Sequence, residues 1–448
     1  MAGAISGGVA RARQTGIVTS PIALPAPIAP AHGSLGLPQG IALYIGSVLG
    51  TGLLVLPGIA AEVAGPGSIV AVIAVIILSI PLAGTFAALA ARYPDPGGVA
   101  SYARRALGAT VARMTGYWFM FGVCAGGPVV AVLGAEYVAA VVGADRAVVP
   151  VLALIFFIPP FVINAFGVRV AGWLQLVLTA LLLIVVIAVV ALAAPSVEPQ
   201  NFQPLLPHGW GGVGTAISLF VWAFAGWEVG THVSGEFRNP RRIIPLATAV
   251  ALVVTGACYL VLQIVTVGAL GDRAGHGLVP LLTLAGLGSS GFGSIAVGVI
   301  AAVVALGVLN VYLAAFAKLG ASLAANGDLP RWFAPGAEAG GIPRRALSLI
   351  GVVVATYFGL MLWSGLDLTP FILVHTSSMV AIYVVGMIAA VRLLAPRTLG
   401  WWMAWVAVVL CVGMLVLALG SLLPVFALAA AAVLVTIVQR RRTRAGIG

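Results

Sequence analysis

The chain has 448 residues, of which 62% are hydrophobic and 7% charged, more apolar surface than a soluble core can bury. This excludes a soluble enzyme or binding module and sets the expectation of an all-α polytopic membrane protein. The formal charge of +11 would suit nucleic acid, but the placement of the basic residues argues for membrane topology instead.

Residues 1–38 carry Arg11 and Arg13, then an apolar stretch broken by Pro21, Pro25, Pro27 and Pro30. A secretory signal needs an unbroken apolar helix, so this segment is expected to be a disordered cytoplasmic tail. Beyond it, apolar runs of about 20 residues, each able to cross about 30 Å of hydrocarbon, recur along the chain. They cover 39–62, 68–91, 115–142, 148–166, 171–194, 213–235, 244–270, 290–319, 346–365, 368–391, 400–420 and 422–439. Twelve spans put both termini on one side. All but Arg146 and Arg273 of the 22 basic residues fall on that side, and the positive-inside rule makes it cytoplasmic. The charge therefore needs no nucleic acid. The final "QRRRTR" reads as a topology anchor, with binding of anionic lipid as its alternative role. Cys124, Cys258 and Cys411 lie far apart in apolar runs and form neither a disulfide framework nor a metal site, so no metal or cofactor is expected.

Two spans are interrupted. The first contains "IGSVLGTGLLVLPG", Ile45 to Gly58, where Gly46, Gly50, Gly52 and Pro57 weaken a helix in the middle of the bilayer. The sixth contains "VWAFAGWEVGTHVSGEFRNPRR", Val221 to Arg242, where Gly226 and Gly230 flank Glu228. Spans 1 and 6 each begin a group of five, the position at which inverted repeats place discontinuous helices. A break exposes the orphan N–H groups of one half-helix and the orphan carbonyls of the other. An amino acid zwitterion matches both ends. Close helix packing is the alternative use of Gly46 and Gly50, whose spacing fits a small-xxx-small pattern. The expected organisation is a tail over 1–38, a five-helix repeat over 39–194, a second, inverted repeat over 213–391, two further helices over 400–439 and a basic tail over 440–448.

These residues carry a family resemblance. "GSVLGTGLLVLPG" resembles the first-helix signature of the amino acid/polyamine/organocation (APC) transporter superfamily, and "FVWAFAGWEVGTHVSGEFRNPRRIIP" resembles its sixth helix and following loop. "YPDPGGVASYARRALG", Tyr93 to Gly108, is similar to its loop after span 2, and "LNVYLAAFAKL", Leu309 to Leu319, to span 8 of its bacterial neutral amino acid exporters. The likeness covers residues 36–440. It implies a LeuT-like fold of 5+5 inverted helices plus two, with alternating access to a central site. By motif position, Thr51 and Gly52 would meet the substrate carboxylate, and the carbonyls of Val48, Trp222 and Ala225 its ammonium. Gly46, Ser47, Gly50 and Gly226 complete the expected substrate-binding residues at the two breaks. Trp222, Phe224 and Trp227 would cover the substrate side chain or gate the site, with helix or lipid packing as their alternative.

Glu228 is the expected proton-coupling residue, because a carboxylate near the midplane must be paired, wetted or protonated; a static tie between helices is its alternative role. Glu136, His232 and His375 are weaker candidates, and Glu236 is expected to pair with arginines. Asn310 is costly to bury unpaired and is expected to contact the site or a broken helix. Related sodium-coupled transporters place hydroxyl ligands in span 8, whereas "IAVGVIAAVVALGVLN" has none; some proton-coupled members place a lysine in span 5, and the one lysine here is Lys318. With no cation deep in a span, a neutral apolar substrate is the simplest fit. The expected function is proton-coupled export of neutral amino acids such as methionine, leucine, isoleucine or valine across a bacterial cytoplasmic membrane. Import or exchange by the same superfamily is the alternative. The chain lacks HExxH, paired catalytic carboxylates, a Walker lysine and a filter-like ring, which speaks against a membrane enzyme or a channel. A substrate-sensing receptor on a transporter fold would need a signalling segment that the sequence does not suggest.

Overall fold

Hydrocarbon cannot hydrogen-bond a peptide group, so apolar runs of this length become helices. The computed structural model describes residues 33–50, 52–275, 284, 287, 292–417 and 422–444, and among these each expected span is made of helix, spans 1 and 6 with a break. Span 1 is two helices, α1 (Leu37–Val48) and α2 (Gly52–Ala64), and span 2 is α3 (Gly67–Arg92). A short α4 (Val99–Leu107) follows in the loop; α5 (Ala109–Tyr117) and α6 (Gly126–Val142) make span 3. Spans 4 and 5 are α7 (Val149–Asn164) and α8 (Val168–Ala193), and span 6 is divided into α9 (Gly209–Ala223) and α10 (Val229–His232). Next come α11 (Pro240–Leu270), α12 (Phe292–Ala325), α13 (Arg344–Trp363), α14 (Thr369–Leu393), α15 (Leu399–Leu417) and α16 (Leu423–Arg444).

Among the described residues, nine helices are long and apolar enough to cross a membrane, with shorter apolar helices at Leu37–Val48, Gly209–Val221 and Leu423–Gln439. The first two of these are short because their spans are interrupted. Large apolar side chains face outward, among them Ile184 (64% exposed), Val253 (70%), Val352 (64%) and Val409 (69%). In water such a surface would drive aggregation; in a bilayer it is the solvated face. The last helix runs on through Arg444, past the expected start of the basic tail at 440, because glutamine and arginine continue a helix readily.

Span 3 holds an interruption that the sequence reading did not expect. Between α5 and α6 the helix widens over Trp118–Gly122 and then tightens over Val123–Ala125. Pro128 has no N–H to offer the preceding turn and its ring crowds the carbonyl four residues back, a common cause of such local rewinding. Glycines accept what fills the resulting space. A Cβ on Gly122 would lie 2.1 Å from Ser378 Oγ, and one on Gly126 would lie 2.3 Å from His375 Nδ1.

Two buried ionic clusters tie the arginine-rich end together. Asp328 receives Arg104 and Arg113, the latter through Nε at 3.0 Å, and Arg113 also reaches Thr436 and Gln439 on α16. Thus span 12 is bound to span 3 and to the loop after span 8. The second cluster corrects an expectation. Glu236 pairs with Lys318 at 2.6 Å, not with arginines, and both side chains are buried. The ammonium also donates to the carbonyls of Gly336, Glu338 and Gly341 at 3.1, 2.8 and 2.8 Å. Glu236 lies where three segments meet, so Lys318 at the end of α12 reaches it before any arginine can. The chain ahead of α1 joins the same place: Leu35 N–H donates to Glu236 O at 2.8 Å, and Arg238 N–H donates to Leu35 O at 3.0 Å.

Removing one partner of a buried ion pair leaves an uncompensated charge. Lys318→Met is therefore expected to lower stability by about 3–5 kcal/mol, and adding Glu236→Gln to recover part of the loss. Thermal unfolding of the detergent-solubilised single and double variants measures both; a double variant no more stable than the single one would refute the pairing.

Candidate functional site

The two breaks abut. α1 ends at Val48 and α2 starts at Gly52, while α9 ends at Ala223 and α10 starts at Val229. Gly226 takes φ +119°, and a Cβ there would lie 2.5 Å from the Ser47 carbonyl oxygen, so only glycine lets the span 6 break lie against the span 1 break. Gly52 makes a second close approach, its virtual Cβ 2.9 Å from the Ala223 Cβ.

Beside the breaks lies a cavity of about 100 Å³. Ser47, Val48, Gly50 and Gly52 line it from span 1 and Ala225 from span 6. The opposite walls come from span 3 at Val123, Cys124, Gly126 and Gly127, span 8 at Tyr312 and Phe316, and span 10 at His375. Among the described residues the lining includes no Asp, Glu, Lys or Arg. His375 Nδ1 donates to the Val123 carbonyl at 2.8 Å, which supplies a partner to the irregular turn of span 3.

Glu228 is fully buried at the start of α10. One carboxylate oxygen accepts from the Tyr383 hydroxyl, and that hydroxyl accepts from the Gly226 N–H at 2.9 Å. Tyr383 thereby satisfies an orphan donor of the break and links it to the acid. Among the described residues no cation pairs with Glu228, and its second oxygen meets no donor at bonding geometry. Among the described residues its one hydrogen bond thus comes from a neutral hydroxyl. That arrangement can accept a proton without breaking an ion pair.

The remaining candidates are distributed around this centre. Gly46 faces span 5: a Cβ there would lie 1.8 Å from Gln175 Nε2. Phe224 packs on Tyr259 with ring centroids 5.0 Å apart, and Trp227 is fully buried; neither lines the cavity. Asn310 also stands outside the lining, in a polar relay between helices. It donates to the Ala171 carbonyl at 2.9 Å and to Gln175 at 3.1 Å, and accepts from Asn164 at 3.1 Å. Through Gln175 and Thr179 the relay reaches the Ala42 carbonyl of α1. Asn310 therefore braces spans 4, 5 and 8 and, through that relay, the first broken helix. Glu136 pairs with Arg146 at 3.2 Å near a partly exposed end. Thr51 and the Trp222 side chain lie outside the described residues.

The sequence reading missed Tyr383, Tyr312 and the glycine-rich wall of span 3. Tyr383 left one faint trace, a lone hydroxyl in the apolar run "MVAIYVVGM". Gly122, Gly126, Gly127 and Pro128 were the available sign of a third irregular helix.

Comparison with known proteins bears on what this geometry serves. A family model described as amino acid permease matches residues 35–438. The uncharacterized amino acid permease YecA of Bacillus subtilis is 30% identical over 381 residues, covering 83% of this chain and 88% of the relative. The L-methionine/branched-chain amino acid exporter YjeH of Escherichia coli is 30% identical over 377 residues, 81% of this chain and 87% of the relative. The branched-chain amino acid permease BcaP of Bacillus subtilis is 28% identical over 245 residues, 50% of this chain and 52% of the relative. With its helical spans and this match along nearly its whole length, the chain belongs to the amino acid permease family of the APC superfamily and is a multi-pass membrane transporter of amino acids.

Proposed function

We propose that this permease moves neutral, apolar amino acids such as methionine, leucine, isoleucine or valine out of a bacterial cell, coupled to protons, by alternating access across the cytoplasmic membrane. The observation that carries the substrate class is the cavity beside the helix breaks, whose lining among the described residues contains no Asp, Glu, Lys or Arg. A substrate with an acidic or basic side chain would lose its hydration there without gaining a partner. The relatives named as a methionine and branched-chain exporter and as a branched-chain permease support the same substrate class, and the first of them supports export.

In this reading the substrate carboxylate meets the N–H groups at Thr51 and Gly52, and its ammonium the carbonyls of Val48, Trp222 and Ala225. Helix-end partial charges thus hold both ends of the zwitterion while the apolar walls take the side chain. The segments 39–194 and 213–391 act as two inverted repeats that rock about this centre, with 400–439 added at their side and both termini cytoplasmic. Glu228 takes a proton when the cavity faces one side and releases it when the cavity faces the other.

Counterflow into liposomes preloaded with radiolabelled leucine tests the substrate class. Unlabelled methionine, isoleucine and valine are expected to compete, and lysine and glutamate not to. Competition by a charged amino acid at equal potency would refute the neutral assignment. Coupling is read in the same vesicles under an imposed pH gradient. Glu228→Gln should retain counterflow and lose most of the gradient-driven flux, on the order of tenfold or more. If its response to the gradient matches that of wild type, Glu228 does not carry the proton.

A further inference from the structure

A proton on Glu228 needs a way to water, and polar groups run from this residue toward the arginine-rich end. One step along α10, Gly230 has no side chain, and the Tyr44 phenol of α1 occupies the space: a Cβ on Gly230 would lie 2.3 Å from the Tyr44 hydroxyl. That hydroxyl lies near the Thr248 hydroxyl of α11 and within electrostatic reach of Glu228. Next comes Tyr102 of α4, whose phenol lies near Ser234 and within electrostatic reach of Tyr44 and Asp95. Ser234 Oγ accepts from the Asp95 N–H at 3.0 Å, and Asp95 pairs at 3.5 Å with Arg105, whose side chain is 46% exposed. The file thus begins at a fully buried carboxyl and ends at solvent.

The hydroxyls along it share an unusual property. Tyr44, Tyr102 and Thr248 are buried, yet none makes a hydrogen bond to a described residue at bonding geometry. Buried hydroxyls are normally bonded, and Tyr in a protein interior normally finds a partner. Three such groups in one region, with Tyr44 near Thr248 and Tyr102 near Ser234, are a polar set that ordered water can join. Each hydroxyl both donates and accepts, which is what passing a proton through a hydrogen-bonded file requires. Burial pushes the Tyr102 phenol well above its ordinary value, so it stays neutral.

We propose that Tyr44 and Tyr102 form a water-assisted proton path that joins Glu228 to the Asp95 and Arg105 surface; this inference rests on the proton-coupled reading of Glu228. Other groups frame it without extending it. Tyr383 of α14 donates to Glu228 and Tyr312 of α12 lies within its electrostatic reach, His232 of α10 packs edge-on against Phe119 with centroids 4.6 Å apart, and Arg105 stands at the mouth. Tyr102 is absent from the cavity lining, so substrate exchange does not depend on it.

The test uses the full-length protein in liposomes with a lumenal pH dye and two readouts, leucine counterflow and proton movement coupled to leucine under a pH gradient. Tyr102→Phe is expected to keep wild-type counterflow and to slow coupled proton movement on the order of tenfold. Tyr44→Phe should act in the same way. Coupled proton movement at the wild-type rate in both variants, with counterflow intact, would overturn the path while leaving the role of Glu228 standing. A wild type that moves leucine by counterflow but no protons would overturn the path and the role of Glu228 together.

Discussion

Everything in this molecule depends on one constraint, that a backbone group freed from a helix inside hydrocarbon must find its partner within the protein. At Gly226 the chain meets this constraint with a single tyrosine. The N–H released by the break donates to Tyr383 at 2.9 Å, and the missing side chain lets the break lie against the Ser47 carbonyl. Tyr383 stands on a helix that is remote in sequence, so span 10 is needed to complete span 6. The two interruptions can then be contiguous, and the cavity lies where both expose backbone.

The polar residues outside the cavity fall into sets with different consequences. Asn164, Asn310, Gln175 and Thr179 form a buried relay that ends on an α1 carbonyl. Fully satisfied networks of this kind rigidify what they join, so spans 4, 5 and 8 make a frame against which the first broken helix is referenced. Lys318 and Glu236 do something different. They bind the end of span 6, the end of span 8, the loop beyond it and the chain ahead of span 1 at one point. Any motion that separates span 6 from span 8 at the arginine-rich end has to break that cluster.

Much of this was legible from hydropathy and glycine placement. Span positions follow from the length of hydrocarbon to be crossed, which acts on every residue alike. The breaks in spans 1 and 6 were visible because Gly46, Gly50, Gly52, Pro57, Gly226 and Gly230 are costly in a plain helix. What was not legible is pairing. Glu236 had Arg238, Arg241 and Arg242 close by in sequence, yet its partner is Lys318, because packing sets the distance between side chains and sequence separation does not. Asn310 could be recognised as a group needing partners, but the choice of Asn164, Ala171 and Gln175 is tertiary. The irregular turn of span 3 is a local effect of Pro128 whose importance appears only when His375 and Ser378 are seen to fill it.

The placement of Glu228 ties these points to coupling. A carboxylate balanced by a fixed cation would gain little by exchanging its proton, since protonation would strand the cation in a medium that penalises it. Glu228 has hydroxyl and backbone neighbours instead. Its partner Tyr383 is also the acceptor for the Gly226 N–H, so one hydroxyl serves the acid and the helix break together. On the proposed mechanism, a proton arriving at Glu228 turns the carboxyl from an acceptor into a group that can also donate. The Tyr383 hydroxyl then has to share its bonding differently between the acid and Gly226. A change of one proton is in this way felt as a change in how the span 6 break is held, at the glycine where a Cβ would lie 2.5 Å from the Ser47 carbonyl oxygen of the span 1 break. Coupling then requires no charged residue in the cavity itself, which is consistent with a site that accepts apolar substrates.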